Sequence, residues 1–383
     1  MTKFTISAST TFGLEAVVGR ELRELGYEEL KTENGRVSFI GEERDIAICN
    51  LHLRAADRVF IDLASFEAVT FDELFDQVYD LPWEDILPQD ARIHVNGKSV
   101  KSTLFSISDC QALTKKAIIN KLKTRYKQDY FPEDGPLFKI EVALLKDIAT
   151  ISIDTSGAGL HKRGYRSDAG EAPLKETMAA ALVYLSRWRS SSTLLDPFCG
   201  SATILIEAAM IANKIPPGIK RSFISEEWPW FDPQIWEEER AKAKSLIENN
   251  DFRLLGSDID KRVLQKAQEN IRNAGLENQI KVQKLSIEEV QSSKKYGCII
   301  TNPPYGLRLG EQRNINKLYS DMGKVFKELD TWSFFVLTAN EEIEEIIRMR
   351  ANKKRKLYNG NIKCNLYQFF GPFPPRSPRD LNI

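Results

Sequence analysis

Short apolar runs alternate with longer amphipathic stretches from the first residues of the chain. FTISAS reads as a strand, LEAVVGRELRELGY carries apolar residues at helical spacing, and after the turn Glu33-Asn34-Gly35 the run RVSFI reads as a second strand. A helix over about 42–54 follows. From Val59 a second small α/β unit is expected: strand VFIDLASFEA, helix FDELFDQVYDL, strand RIHVNGKSV, a long helix around SDCQALTKKAIINKLKTRY, and the closing strands LFKIEVALLK and IATISIDT. In the long helix the spacing turns Ala112, Ile118, Ile119 and Leu122 inward, and Lys115, Lys116, Lys121, Lys123 and Arg125 to solvent.

After Thr155 the pattern changes. SGAGLHKRGYRSDAGEAP is small, polar and glycine-rich, the make-up of a linker or a functional loop, and the domain boundary is expected there. Beyond it helices and strands alternate as in a doubly wound α/β domain: helix LKETMAAALVYLS, strand TLLD, helix ATILIEAAMIA, strand RLLGSD, helix KRVLQKAQENIRNAG, strands IKVQKL and GCIITN, helix NKLYSDMGKVFKEL and strand WSFFVLTA. A last pair, KRKLYN and CNLYQFF, reads as an antiparallel hairpin on the sheet edge. Residues 214–250, with KIPPG and EEWPWFDP, read as an insertion between the first two strands of that sheet.

With 383 residues, 42% hydrophobic and 28% charged, the chain can bury two or three cores and is not a disordered polymer. No apolar run approaches the roughly 20 residues that span a bilayer. The N-terminus MTKFTISAST lacks the features of a signal peptide, so a cytosolic protein without membrane contact is expected. Five cysteines lie far apart with no CxxC pair and three histidines are scattered, so neither a disulfide framework nor a metal site is expected.

Fifty-four basic residues balance fifty-four acidic ones, but unevenly along the chain. Residues 1–91 carry 8 Lys/Arg against 19 Asp/Glu, whereas 92–127 carry 9 against 1. A second basic block, 346–379, has nine Lys/Arg and no acid, including Lys353, Lys354, Arg355 and Lys356. One such run is usually a solvated face, while two in a neutral chain point to contact with a polyanion.

Three loops carry candidate chemistry. Leu194-Leu195-Asp196-Pro197-Phe198-Cys199-Gly200-Ser201-Ala202-Thr203 is a strand that ends in an acid and turns through a small-residue loop into a helix, where Gly200 lets a ligand approach the backbone. Both GxGxxG and GxxxxGK[ST] are absent from it, which leaves a ligand without phosphate. Asp196 suits an amino acid ammonium, directly or through water, as S-adenosylmethionine presents. About 60 residues later RLLGSDID ends the next strand at Asp258, placed to accept from the two hydroxyls of a ribose. Of Asp258 and Asp260, one is expected to bind and the other to cap the helix that begins near Lys261.

The third loop is the most specific. The strand Gly297–Thr301 runs into Asn302-Pro303-Pro304-Tyr305-Gly306, where two prolines stiffen the turn and hold the Asn side chain and the Pro303 carbonyl as a pair of acceptors. Two acceptors suit an exocyclic NH2: hydrogen bonds from its protons localise the lone pair toward an electrophile, and Tyr305 offers a face for a planar base. Cys199 beside the first loop could suggest a covalent nucleophile, but amino methylation needs none, so it reads as a small packing residue.

In this order and spacing the three motifs resemble the class I S-adenosylmethionine-dependent methyltransferases that modify amino nitrogens. Nearly the whole chain resembles the THUMP-containing RNA methyltransferases related to the 23S rRNA guanine-N2 enzymes, through GLHKRGYR, APLKE, LDPFCGSATILIEAA, SEEWPWFD, GSDID and NPPYGLRLG. The resemblance implies an α/β chain: a ferredoxin-like unit over 1–60, a THUMP unit over 45–155, a linker over 156–170, and over 171–383 a Rossmann-like methyltransferase domain whose mostly parallel seven-stranded sheet carries an antiparallel edge hairpin. It implies cofactor contacts from Asp196, Phe198, Gly200, Ser201, Thr203, Asp258 and Ile259, with Pro173, Leu174 and Lys175 closing over the cofactor and Asn302, Pro303, Pro304 and Tyr305 at the target base. Where many methyltransferases carry an acid after the third strand, this chain has Lys284-Leu285-Ser286, so Ser286 or Glu288 is expected at the cofactor adenine.

RNA contact is expected from Lys115, Lys116, Lys121, Lys123 and Arg125, and from His161, Lys162, Arg163, Tyr165 and Arg166, which mix cations with an aromatic. The expected partner is 23S rRNA or its precursor, with no obligate protein partner. Adenine-N6 methylation of DNA or RNA, guanine-N2 methylation of tRNA, methylation of a protein glutamine amide, and a non-enzymatic assembly factor are the alternatives. The related enterobacterial protein fuses a second methyltransferase domain, whose activity is not implied here.

Overall fold

The computed structural model describes residues 3–166, 174–306 and 312–375. Pro173, expected above to close over the cofactor, and residues 376–379 of the second basic block lie outside them. Two compact units are formed. Among the described residues, the first takes those of Met1–Thr10, Val18–Leu160 and Pro217–Ser245, and the second those of Thr11–Val17, His161–Pro216 and Leu246–Ile383.

In chain order the elements up to Asp154 are β1 (Phe4–Ser9), α1 (Glu15–Glu24), β2 (Lys31–Glu33), β3 (Arg36–Gly41), α2 (Glu43–His52), β4 (Arg58–Glu67), α3 (Phe71–Tyr79), α4 (Trp83–Ile86), β5 (Arg92–Val100), α5 (Ile107–Tyr126), β6 (Leu137–Leu145) and β7 (Ile148–Asp154). Their strands make one continuous sheet, β2-β3-β1-β4-β7-β6-β5, instead of two separate ones. β4 joins the halves because it is long enough to pair with β1 through its first residues and with β7 along its length, across an irregularity between Asp62 and Ala64. In β6 buried and part-exposed residues alternate strictly, as expected of a strand with one face on a core.

The remaining elements are α6 (Glu176–Leu185), β8 (Leu194–Asp196), α7 (Thr203–Ala212), α8 (Pro233–Ser245), β9 (Leu254–Asp258), α9 (Lys261–Ala274), β10 (Ile280–Lys284), β11 (Cys298–Thr301), α10 (Gln312–Glu328), β12 (Ser333–Thr338), α11 (Ile343–Ile347), β13 (Lys353–Asn359) and β14 (Ile362–Phe369). The second sheet runs β10-β9-β8-β11-β12-β14-β13. Its first five strands are parallel, and β14 and β13 close it antiparallel. This is the Rossmann-like α/β architecture expected from the alternation. β12 is buried at every residue, as a central strand covered on both faces must be.

Two expectations need correction. The segment Pro217–Ser245, placed above within the methyltransferase stretch 171–383, packs with the first unit. Its Trp228 stacks on Phe138 at 4.8 Å and donates to the Leu137 carbonyl, Trp230 donates to the Ile86 carbonyl, and Arg44 pairs with Glu238 and Glu239 at 2.7 Å. In α5 the inward face is Cys110, Thr114, Ala117, Ile118 and Leu122, while Ala112 is exposed and Ile119 only half-buried, because the apolar stripe is centred about one position away from the expected one. None of the described helices is long and apolar enough to cross a membrane.

Candidate active site

β9, β8 and β11 are parallel neighbours, so their carboxyl ends bring Asp258, Asp196 and Asn302 to one edge of the sheet. Asp196 is 1% exposed, and its Oδ1 accepts from Phe198 N at 3.1 Å and from the Thr301 hydroxyl at 2.6 Å. It ties the tip of β8 to the tip of β11 and is not among the residues that line the cleft described below.

Burial pushes the Asp196 carboxyl up from about 3.8 to about 7, against the lowering effect of these two hydrogen bonds. A carboxyl whose folded pKa is raised contributes stability below its unfolded pKa and loses it as pH rises through the folded value. Asp196 alone should therefore lower the unfolding free energy by up to about 1.4 kcal/mol per pH unit between about pH 4 and 7. In urea titrations across that range, Asp196→Asn should gain on the wild type as pH rises; a constant difference would refute the burial account.

The loop after β8 turns at Gly200, whose φ of +51° is left-handed and whose Cα faces open space, so a ligand can lie against the backbone there. Gly200 N donates to Asp258 Oδ2 at 3.2 Å, and Asp258 Oδ1 accepts from Asp260 N at 3.0 Å. Asp260 caps α9, accepting from Arg262 N at 2.8 Å, and Asp258 faces the cleft. Ser201 and Thr203 do not line the cleft. Their hydroxyls lie 3.0 Å apart, Asn270 donates to the Ser201 carbonyl and Arg166 to the Thr203 hydroxyl at 2.7 Å, so both brace the loop from outside. Cys199 is buried with its thiol pushed up by that burial, as suits packing.

At the tip of β11, the Pro304 carbonyl accepts from the Tyr319 hydroxyl at 3.0 Å, and Tyr319 in turn lies 2.7 Å from the Thr338 hydroxyl. The turn is thus anchored to α10 and β12. The Tyr305 hydroxyl donates to Asn302 Oδ1, and Asn359 Nδ2 donates to Tyr305 at 3.3 Å. Burial pushes the Tyr305 phenol well up, so it stays a neutral donor. These residues border a cleft of about 960 Å³ that Lys175, Phe198, Gly200, Asp258, Ile259 and Ser286 also line.

A protein family described as the RMKL-like methyltransferase domain matches residues 163–368, more than half of the chain. The chain belongs to the RMKL-like methyltransferase family. Ahead of that match, an RlmL ferredoxin-like domain covers residues 5–60 and a THUMP domain residues 68–154. This RMKL-like methyltransferase is 45% identical over 385 residues to "Putative RNA methyltransferase YpsC" of Bacillus subtilis (strain 168), with 100% of each chain covered. It is 32% identical over 394 residues to "Ribosomal RNA large subunit methyltransferase K/L" of Syntrophotalea carbinolica, covering 97% of this chain and 55% of the other. Among solved structures it is similar to "SMU.472, a putative methyltransferase complexed with SAH", with a TM-score of 0.92, 44% identity, and 98% and 100% of the two chains covered.

The RMKL-like chain departs from expectation in the segment around His161. His161 is half-buried and Lys162 exposed, but Arg163 and Tyr165 are each 3% exposed and belong to the interior. Tyr165 donates to Glu207 Oε1 at 3.1 Å, and Arg163 pairs with the same oxygen at 3.5 Å. Arg166 pairs with Glu176 and donates to the Leu174 carbonyl. The RNA role expected of Arg163 and Tyr165 is therefore replaced by a structural one: backbone alternation turns them in, toward the single acid of an otherwise apolar helix. On α5, Lys116 and Arg125 are exposed, whereas Lys115 pairs with Glu133 at 2.7 Å, Lys123 with Asp129 at 3.5 Å, and Lys121 lies over the Tyr79 ring.

Two stretches of cleft wall were not anticipated: Asn314, Lys317, Leu318 and Asp321 from α10, and Asn359, Gly360 and Ile362 from the tip of the β13–β14 hairpin. The hairpin was legible in the sequence. Its nearness to Asn302 depends on the strand order, which local pattern does not carry.

Proposed function

We propose that this chain transfers a methyl group from S-adenosylmethionine to an exocyclic amino nitrogen of a base in RNA, with guanine N2 of large-subunit rRNA as the target. The observation that carries the reading is the rigid Asn302-Pro303-Pro304-Tyr305 turn opening into the same cleft as Asp258. An RNA substrate is supported by the THUMP match and by the name of the Bacillus subtilis relative. Large-subunit rRNA is supported by the name of the K/L relative, of which this chain spans 55%.

The cleft fits the cofactor. Asp258 keeps lone pairs for ribose hydroxyls beyond the two backbone N–H groups it already accepts, Lys175 offers a cation for a carboxylate, and Phe198, Ile259, Leu285 and Ile287 supply apolar wall for a purine. S-adenosylmethionine would supply an electrophilic methyl on a sulfonium. Asn302 Oδ1 accepts a hydrogen bond from an N–H of the target amine and turns the nitrogen lone pair toward the methyl, with the turn held in place by Tyr319. The Tyr305 ring, on the cleft wall, gives the base a stacking face. No general base is needed before transfer, because the methylated ammonium is strongly acidic.

Asp258→Ala should weaken S-adenosylmethionine binding by about 2 to 4 kcal/mol, since the ribose hydroxyls lose their acceptor and Gly200 N loses its partner. Calorimetry showing unchanged affinity would remove Asp258 from the cofactor site. The function itself is tested by offering labelled S-adenosylmethionine with RNA, DNA and protein, each from cells lacking the gene. Label in the large-subunit RNA supports the reading; label in DNA or protein overturns it.

A further inference from the structure

β13 is the edge strand of the second sheet, and its sequence KKRKLYN sets four cations in a row on it. The structure uses two of them internally. Arg355 donates to the Gly13 carbonyl at 3.1 Å, and Lys354 pairs with Glu344. Lys356 is exposed and stands 5.4 Å from the centre of the Tyr358 ring, its neighbour on the same face of the strand. Tyr358 meets Phe12 edge-on at 6.3 Å, and Phe12 is 51% exposed.

Phe12 lies in Thr11–Val17, a segment that counts with the second unit. It is pressed close against β13: Gly13 has φ +93°, and a Cβ there would stand 2.8 Å from the Lys356 carbonyl, so only glycine holds Phe12 in this position. The strand then runs on to Asn359, Gly360 and Ile362 in the wall of the catalytic cleft. At about 3.4 Å per residue, Lys356 sits roughly 10 Å from Asn359 along the strand. A stacked nucleic acid strand presents one phosphate per about 3.4 Å, so that distance is roughly three nucleotides.

We propose that Phe12, Tyr358 and Lys356 form a holding surface for the RNA strand flanking the target base, the ammonium on a phosphate and the rings under a neighbouring base. A lone exposed phenylalanine is ordinary on a protein surface. Here it adjoins a second ring and a cation on a strand that ends in the catalytic cleft, the combination by which single-stranded nucleic acid is held. The inference rests on the RNA reading given above.

The test uses the full-length protein with a fluorescein-labelled polyuridine 20-mer for binding, and RNA from cells lacking the gene for methyl transfer. Lys356→Ala should lower the salt slope of polyuridine binding by about 1, and Lys356→Arg should restore it. Phe12→Ala should weaken binding about 5- to 50-fold with the slope unchanged. In both variants the loss in transfer should fall on KM for RNA, with S-adenosylmethionine affinity kept as the check on folding. If the wild type labels RNA and both variants match it in affinity, slope and KM, the surface is only a solvated edge strand and the inference fails alone. If the wild type labels DNA or protein instead, the RNA reading fails and takes the inference with it.

Discussion

Asn302→Ala is expected to lower the rate of methyl transfer by about 100- to 1000-fold, the range seen when a preorganised hydrogen-bonding group is removed from a reacting centre. The physical reason is the amine itself. Its lone pair is delocalised into the base, and an acceptor fixed at the tip of β11 draws on an N–H and localises the pair. The turn that holds this acceptor is anchored through Pro304 to Tyr319, so the alanine variant should keep the backbone and lose only the acceptor. Affinity for S-adenosylmethionine should stay within a few-fold, because the Asn302 carbonyl oxygen is bonded to the Tyr305 hydroxyl, while Asp258, which the reading assigns to the cofactor, is bonded to Gly200 N. Single-turnover transfer and cofactor calorimetry on the same preparation separate the two effects. Tyr305→Phe is the companion: it frees Asn302 Oδ1 of its internal donor and keeps the ring, so transfer should survive. Near-normal turnover in Asn302→Ala would remove the proposed chemistry.

The second large effect concerns stability. Glu207 is fully buried on α7, where its Oε1 receives the Tyr165 hydroxyl and pairs with Arg163, whose side chain is 1% exposed. Taking away the anion leaves a guanidinium in the interior without it, and breaking a buried pair in this way costs about 3 to 5 kcal/mol. Glu207→Ala should lose that much in urea unfolding of the second unit. Glu207→Gln, which still accepts from Tyr165, should lose less. A loss below about 1 kcal/mol for the alanine variant would mean that the pair is effectively solvated, as a surface ion pair is.

That same cluster marks where reading the sequence failed. SGAGLHKRGYRSDAGEAP is small, polar and glycine-rich and so reads as a linker or functional loop with its cations toward RNA, yet Arg163 and Tyr165 stand two apart and face inward while Lys162 is exposed. The signal was available in another segment: ATILIEAAMIA carries one acid in an apolar helix, and a buried carboxylate demands a cation. The insertion was likewise legible in part. Its run WPWF holds more aromatic surface than a solvated loop can leave in water, but which core it would join required the fold. The three loops are legible as strand ends because apolar runs stop abruptly at Asp196, Asp258 and Asn302, and a parallel sheet brings such ends to one edge. What local pattern could not give was the depth of Asp196, set by Thr301 across the neighbouring strand, or the arrival of Asn359 beside Tyr305.

The most direct test of the proposed chemistry is the identity of the nucleoside formed. RNA from cells lacking the gene, methylated by the full-length protein and digested to nucleosides, should yield N2-methylguanosine by mass spectrometry, in an amount that Asn302→Ala reduces at least 100-fold. Methyl groups found on a ring carbon, a ring nitrogen or a ribose oxygen would contradict the account, because none of those positions presents the amino N–H groups whose hydrogen bonds Asn302 is placed to accept.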